Sequence, residues 1–255
     1  VTRIFITHFH GDHCLGLGSM LMRLNLDKVQ HPIHCYYPAS GKKYFDRLRY
    51  GSIYHEMLDV REHPVSAPGV VDDDGAFRIE AVFLDHGVDN IGWRIQEASI
   101  RKFEEKRLKA AKIQGPMVRE LQEKGFLRHE GKTVLLDDVS WVREGDRFAV
   151  VIDTRPCEAA LAIADRAALL LAESTYLETE RDLAYQHHHM TAAQAAHIAK
   201  EAGARKLILT HFSARYQNSK AFEEEARPIF PETFAAEDLR VFPFEKLHHP
   251  PLQFL

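Results

Sequence analysis

The chain has 255 residues, 45% of them apolar, with 33 Lys and Arg against 37 Asp and Glu for a formal net charge of −4. That length suits one domain with or without an insertion, the charge gives no global pull towards a polyanion, and no run approaches the ~18 apolar residues that cross a bilayer. Cys14, Cys35 and Cys157 form no CxxC pair and no basic-then-apolar leader opens the sequence, so a disulfide framework, a thiolate zinc site and a membrane location are not expected, and the compartment reads as reducing and cytoplasmic.

In chain order, four short β-type runs end at or beside a metal-ligand type of residue: 3–7 before His8, 77–84 before His86, 148–152 before Asp153, and 206–210 before His211. Between them, apolar residues recur three or four apart over 15–24, 40–48, 191–202 and 221–229, which is the helical period. Strands alternating with helices predict a layered α/β protein whose chemistry sits on a rim of loops at the C-terminal strand ends. Val1 stands where a strand pattern has already begun, so a segment is expected to precede it.

Residues 97–125 differ from the rest, being mostly charged, with a Gly115-Pro116 break between two short helical stretches. Within 101–112, six basic residues, among them Lys106, Arg107, Lys109 and Lys112, face two acidic ones. On its own such a run is either a solvated surface helix with i,i+4 pairs or a local basic grip on phosphates.

The strongest signal is His8-Phe9-His10-Gly11-Asp12-His13, directly after a strand. Here His8 and His10 can serve one metal while Asp12 and His13, past the Gly11 turn, can serve a second. Imidazole and carboxylate without thiolate suit a catalytic rather than a closed structural zinc site.

That motif is the signature of the metallo-β-lactamase superfamily, and the segments THFHGDH, LDHGVDNIGWR, IDTRPC, LLLAESTYLE, HHMTAAQAA and KLILTHFSARY resemble the ribonuclease Z family over essentially the whole chain. The resemblance implies an αββα metallo-β-lactamase sandwich spanning 1–255, N-terminally truncated, with 97–125 as an inserted mobile helical arm. It implies two Zn²⁺ per subunit, one held by His8, His10 and His86, the other by Asp12, His13 and His211, with Asp153 bridging them. The implied reaction removes the 3′ trailer from precursor tRNA in a homodimer. Family chains begin with a Gly-Thr-Gly-like strand and a Cys-Gly-Glu-Gly-Thr-Gln loop, and neither occurs here.

By the same resemblance Asp12 accepts a proton from the attacking hydroxide, and His189 protonates the departing 3′ oxygen. Glu173 either orients His189 or merely ends a buried strand, and Ser213 and Arg215 either bind phosphate oxygens or sit in surface pairs. The arm, through Lys106, Arg107, Lys109, Lys112, Gly115 and Pro116, grips the tRNA backbone. His187 and His188 read as incidental loop residues, and His248 and His249 as surface residues. A small-molecule phosphodiesterase or arylsulfatase-like hydrolase of the same superfamily is the alternative, and it has no use for a basic arm.

Overall fold

The run Arg3-Ile4-Phe5 forms the first strand, β1 (Arg3–Phe5), and the chain then turns through α1 (Gly11–Cys14) into α2 (Gly16–Leu26). The structure, a computed structural model, describes residues 1–244; His248 and His249 lie outside the described residues. Next come β2 (Ile33–Pro38), α3 (Lys42–Arg49) and β3 (Val60–Val65), with β1, β2 and β3 pairing as a parallel sheet in that order. The chain continues through β4 (Gly69–Asp73), β5 (Phe77–Phe83) and β6 (Ile91–Glu97).

Two compact units follow from the contacts: Val1–Gln96 with the chain from Asp146 onward, and Glu97–Gly145. The second unit contains β7 (Ile100–Phe103), α4 (Glu105–Ala110), α5 (Pro116–Lys124), β8 (Phe126–His129), β9 (Lys132–Leu135) and β10 (Ser140–Arg143). Its strands β7 and β10 pair antiparallel, as do β8 and β9, around a small core of Ile113, Leu121, Leu127 and Val139. The sequence reading ends this insertion at residue 125. The unit instead runs to Gly145, because Leu127 and Val139 supply half of the apolar core that α4 and α5 need.

The first unit resumes with β11 (Arg147–Val151), α6 (Glu158–Ala164), β12 (Leu169–Glu173), α7 (Arg181–Gln186), α8 (Ala192–Glu201), β13 (Leu207–Thr210), α9 (Lys220–Ala226) and β14 (Thr233–Ala235). Its larger sheet has the order β14-β13-β12-β11-β6-β5-β4; β11 to β14 run parallel and β6 lies antiparallel to β11. Helix α8 starts at a reciprocal cap, in which the Thr191 hydroxyl accepts from the Gln194 backbone and the Gln194 side chain accepts from Thr191 N.

Side-chain alternation with period two makes the layers. On β2, Cys35 and Tyr37 pack with Leu17 and Leu21 of α2 and Phe45 of α3, while Tyr36 points the other way, to Ile79, Ala81, Ile91 and Trp93 of the larger sheet. On β11, Val150 joins that intersheet core, and Ala149 and Val151 pack against Ala160 and Ile163 of α6 and Ala195 and Ala196 of α8. Helix, sheet, sheet, helix is the αββα sandwich that the sequence led us to expect. The small alanines of α6 and α8 let these helices lie close on the strands that end at the site.

Candidate metal centre

Each candidate ligand leaves a strand end or the turn after it. His8 and His10 follow β1, Asp12 and His13 lie on α1, His86 follows β5, Asp153 follows β11, and His211 follows β13. Among the described residues, three groups of side-chain atoms, each within 4.8 Å of one another, are able to hold a metal ion: His8, His10, His86 and Asp153; Asp12, His13 and His211; and Asp153, His189 and His211. In the first, His10 Nδ1 lies 3.0 Å from His8 Nε2 and 3.2 Å from His86 Nε2. In the second, His13 Nε2 lies 3.2 Å from Asp12 Oδ2, and His211 Nε2 lies 3.7 Å from it. Ligand atoms ~2.0–2.1 Å from one tetrahedral ion stand about 3.3 Å apart, so these separations fit the edges of such a coordination shell.

Asp153 faces both groups. Its Oδ2 lies 3.6 Å from His8 Nε2, 3.8 Å from His86 Nε2 and 3.2 Å from His13 Nε2, and its Oδ1 lies 3.3 Å from His211 Nε2. Yet Asp153 Oδ1 and His13 Nε2 are buried without an aligned hydrogen-bond partner. Buried polar atoms left so are costly, and a cation between them would satisfy both. The neutral-imidazole and carboxylate donor set fits a divalent ion of the zinc type.

The local backbone is forced to present these groups. Asp153 at φ 53 and His211 at φ 59 occupy the left-handed region, which costs a non-glycine residue of order 1–3 kcal/mol and turns each side chain off its strand into the rim. Buried Asn90 holds the first of these turns, its Nδ2 donating to the carbonyls of Ile152 and Asp153, both at 2.6 Å. The second is clamped from β12, where Ser174 N donates to the Thr210 carbonyl at 2.9 Å and Ser213 N to the Thr175 carbonyl at 3.0 Å.

Glu173 is fully buried at the end of β12 and its carboxylate is saturated with donors. Oε1 accepts from Thr154 N (2.6 Å) and His189 Nδ1 (2.9 Å); Oε2 accepts from the Thr175 hydroxyl (2.6 Å), Thr175 N (3.2 Å) and Met190 N (3.1 Å). With Nδ1–H committed to Glu173, His189 presents Nε2; its ring stacks on that of His211 at 5.3 Å. His86 is set similarly, its Nδ1 donating to the His188 carbonyl at 3.3 Å, so His188 contributes through its backbone although its sequence position looks incidental. His187 is exposed on the surface.

Burial moves the imidazole of His8 down to about 3, which keeps it neutral as a ligand must be. Burial acts to raise the Asp153 carboxyl, but contact with His13 and the nearby imidazoles override it and hold the group at about 2. For His189 burial acts downward and the Glu173 carboxylate wins, so its pKa lies above the ordinary 6.5.

Ser213 and Arg215 sit just past His211. Arg215 Nε approaches Ser213 Oγ at 3.3 Å and its guanidinium lies over the Tyr176 ring at 4.9 Å. In the second unit, Arg107 pairs with Glu104 (2.8 Å), Lys109 with Glu105 (2.6 Å) and Lys112 with Glu130 (2.9 Å). Lys106 is exposed, while Gly115, at φ 54, precedes Pro116 as the first residue of α5. The exposed pairs of Lys109 and Lys112 are of a kind worth ~0–1 kcal/mol, whereas the half-buried Arg107 also donates to the Asp138 carbonyl at 2.9 Å.

Curated relatives cover almost the whole chain. Ribonuclease Z of Protochlamydia amoebophila is 68% identical over 248 residues, covering 97% of this chain and 81% of the relative. The chain belongs to the ribonuclease Z family. Ribonuclease Z of Chlamydia caviae is 61% identical over 246 residues, covering 96% of this chain and 80% of the relative. No protein-family model matches. Among solved structures, the short form of human tRNase Z superposes with TM-score 0.63 at 23% identity, covering 96% of this chain and 80% of that one. A long-form RNase Z from yeast gives 0.60 at 18% identity, covering 93% and 32%. These two likenesses bear on the fold, which they share with the metallo-β-lactamase fold protein YhfI of Bacillus subtilis, with TM-score 0.62 at 18% identity, covering 93% and 75%.

Four contributors escape the sequence reading: Thr175, Asn90, Thr154 and the His188 carbonyl. Thr175 and Asn90 lie inside the motifs AESTY and LDHGVDNIGWR, so the signal was a polar residue between buried strands, without anything local to say what it would touch.

Proposed function

We propose that this chain is a metal-dependent endoribonuclease that cuts precursor tRNA at its 3′ side, leaving a 3′-hydroxyl on the tRNA and a 5′-phosphate on the trailer. The observation that carries this reading is the convergence of His8, His10, His86 and Asp12, His13, His211 on the single carboxylate of Asp153, in a chain 68% identical to a ribonuclease Z. The donor set suits two Zn²⁺ per subunit: His8, His10 and His86 would hold one, Asp12, His13 and His211 the other, and Asp153 would serve both. Ions in such a centre supply charge stabilisation on phosphoryl oxygens and hydroxide near neutral pH.

The chain's own residues do the rest. Asp12, kept ionised by the neighbouring His13 although burial opposes it, accepts the proton of the attacking hydroxide. As the bond from phosphorus to the 3′ oxygen breaks, His189, held protonated by Glu173, gives its Nε2 proton to that oxygen. Ser213 and Arg215 offer donors to the phosphoryl oxygens. The basic residues Lys106, Arg107, Lys109 and Lys112, with the Gly115-Pro116 turn, grip the tRNA backbone, which positions substrate without reading its sequence. The family resemblance supports a homodimer and a cytoplasmic location; no helix among the described residues is long and apolar enough to cross a membrane.

Zinc-loaded protein incubated with a precursor tRNA carrying a labelled trailer tests the reading, with products mapped to the nucleotide. One cut at the 3′ side is expected. Turnover of small phosphodiesters with an intact precursor would favour the small-molecule hydrolase instead.

A further inference from the structure

Beside His10 the first unit has a groove of about 430 Å³ whose walls include Phe9, Gly41, Lys43, Tyr44 and Asp89. Its floor is built rather than accidental. The Phe9 ring lies so close on the Gly41 backbone that a Cβ there would stand 2.0 Å from it, and Tyr37 meets the ring edge-on at 5.9 Å. Phe9 sits between two candidate ligands in sequence, which ties the groove to the metal centre. Tyr44 is 41% exposed, with its ring 5.9 Å from that of Phe9 and inclined to it by 31°.

The cations on α3 divide into two sets. Lys42 pairs with Asp46 and Glu62, and Arg49 with Glu56 and Glu62. Lys43 and Arg47, one helical turn apart on either side of Tyr44, instead lie over its ring, Lys43 Nζ at 4.8 Å and Arg47 Cζ at 5.9 Å from the centroid. An exposed ring flanked by cations recognises the base face and phosphates of a single strand, and Asp89 is the one carboxylate in the wall.

We propose that Tyr44, backed by Phe9 and flanked by Lys43 and Arg47, stacks the first unpaired nucleotide of the trailer. This rests on the precursor-tRNA reading above. The acceptor stem is a duplex whose base faces are already stacked within it, so an unpaired trailer is the segment able to use such a platform. The His86 ring lies 5.5 Å from that of His189, assigned to the departing 3′ oxygen of the tRNA, and 5.1 Å from that of His10, which borders the groove. With the tRNA side of the bond assigned to His189, the trailer side is assigned to the groove.

The test uses zinc-loaded wild type, Tyr44→Ala and Tyr44→Phe with two precursors, one with an ordinary trailer and one abasic at its first two trailer positions. Tyr44→Ala is expected to lower kcat/KM for the ordinary trailer by roughly 5- to 150-fold, the size of one base–aromatic stack, with Tyr44→Phe close to wild type. On the abasic trailer the three proteins should converge. An equal loss on both precursors, or none on either, overturns the proposal. A second readout needs no cleavage: 2-aminopurine at the first trailer position of a short RNA should be quenched by wild type and not by Tyr44→Ala. Quenching that survives in Tyr44→Ala, or that occurs only when the probe is the last tRNA nucleotide, also overturns it. If wild type cuts no precursor tRNA, the enzymatic reading fails, and the fluorescence still decides whether Tyr44 stacks a base.

Discussion

Thr175 Oγ1 lies 2.8 Å from His211 Nδ1, and its only proton is already given to Glu173 Oε2 at 2.6 Å. The hydroxyl therefore accepts from His211 Nδ1–H, which leaves the Nε2 lone pair facing Asp12 and Asp153. Through this relay one buried carboxylate, Glu173, sets the tautomers of both His189 and His211. Thr175→Val, nearly isosteric and without the hydroxyl, is expected to weaken one metal by roughly 10- to 100-fold while the other stays bound. Competition with a chelator, read by metal analysis of the recovered protein, checks this; two equally tight metals in the variant would show that the relay does not matter.

His189→Ala is expected to slow cleavage by roughly 10²- to 10⁴-fold with both metals retained, and His187→Ala to do little. Single-turnover rates compare the two. Similar losses from both would mean that His189 is not the proton donor.

The pH dependence has a definite sign. The His189 pKa is raised above 6.5, because the pull of Glu173 outweighs burial. A step needing the protonated ring is thus fully supported below 6.5 and fades as pH rises through the higher folded value. The same linkage adds stability at low pH that is lost across that window. Glu173→Gln should move the basic limb of the rate profile to lower pH, since burial then acts without its counterweight. A pH–rate profile with an unmoved basic limb in this variant would separate Glu173 from His189.

Metal removal should cost stability as well as activity, because it leaves His13 Nε2 and Asp153 Oδ1 buried without an aligned hydrogen bond. Metal analysis should give two ions per chain, and a chelated sample should unfold several degrees lower in calorimetry. A well-folded preparation holding a single ion at saturation would refute the dinuclear assignment.

Replacing Glu97–Gly145 by a short Gly/Ser linker removes a unit with its own core and leaves β6 and β11, which pair directly through Gln96 and Arg147. Hydrolysis of a small activated phosphodiester is expected to persist. Precursor tRNA should bind more weakly, with a flatter dependence on salt as phosphate contacts disappear. Unchanged affinity and salt slope would reduce the unit to a surface insertion.

Much of the site could be read locally. The run of His8, His10, Asp12 and His13 packs ligand chemistry into six positions, and strand patterns ending near His86, Asp153 and His211 mark where the remaining ligands leave the sheets. Period-two and helical patterns are properties of neighbouring residues, so they determine by themselves which segments become layers. What only the tertiary structure decided depends on groups far apart in the chain. Asn90 reaches the Asp153 turn, Glu173 gathers donors from Thr154, His189 and Met190, and Leu127 and Val139 close the core of the inserted unit. These hydrogen bonds are defined by the atoms that packing brings within reach of each other, and with partners 16 or more residues apart no short window of sequence contains both.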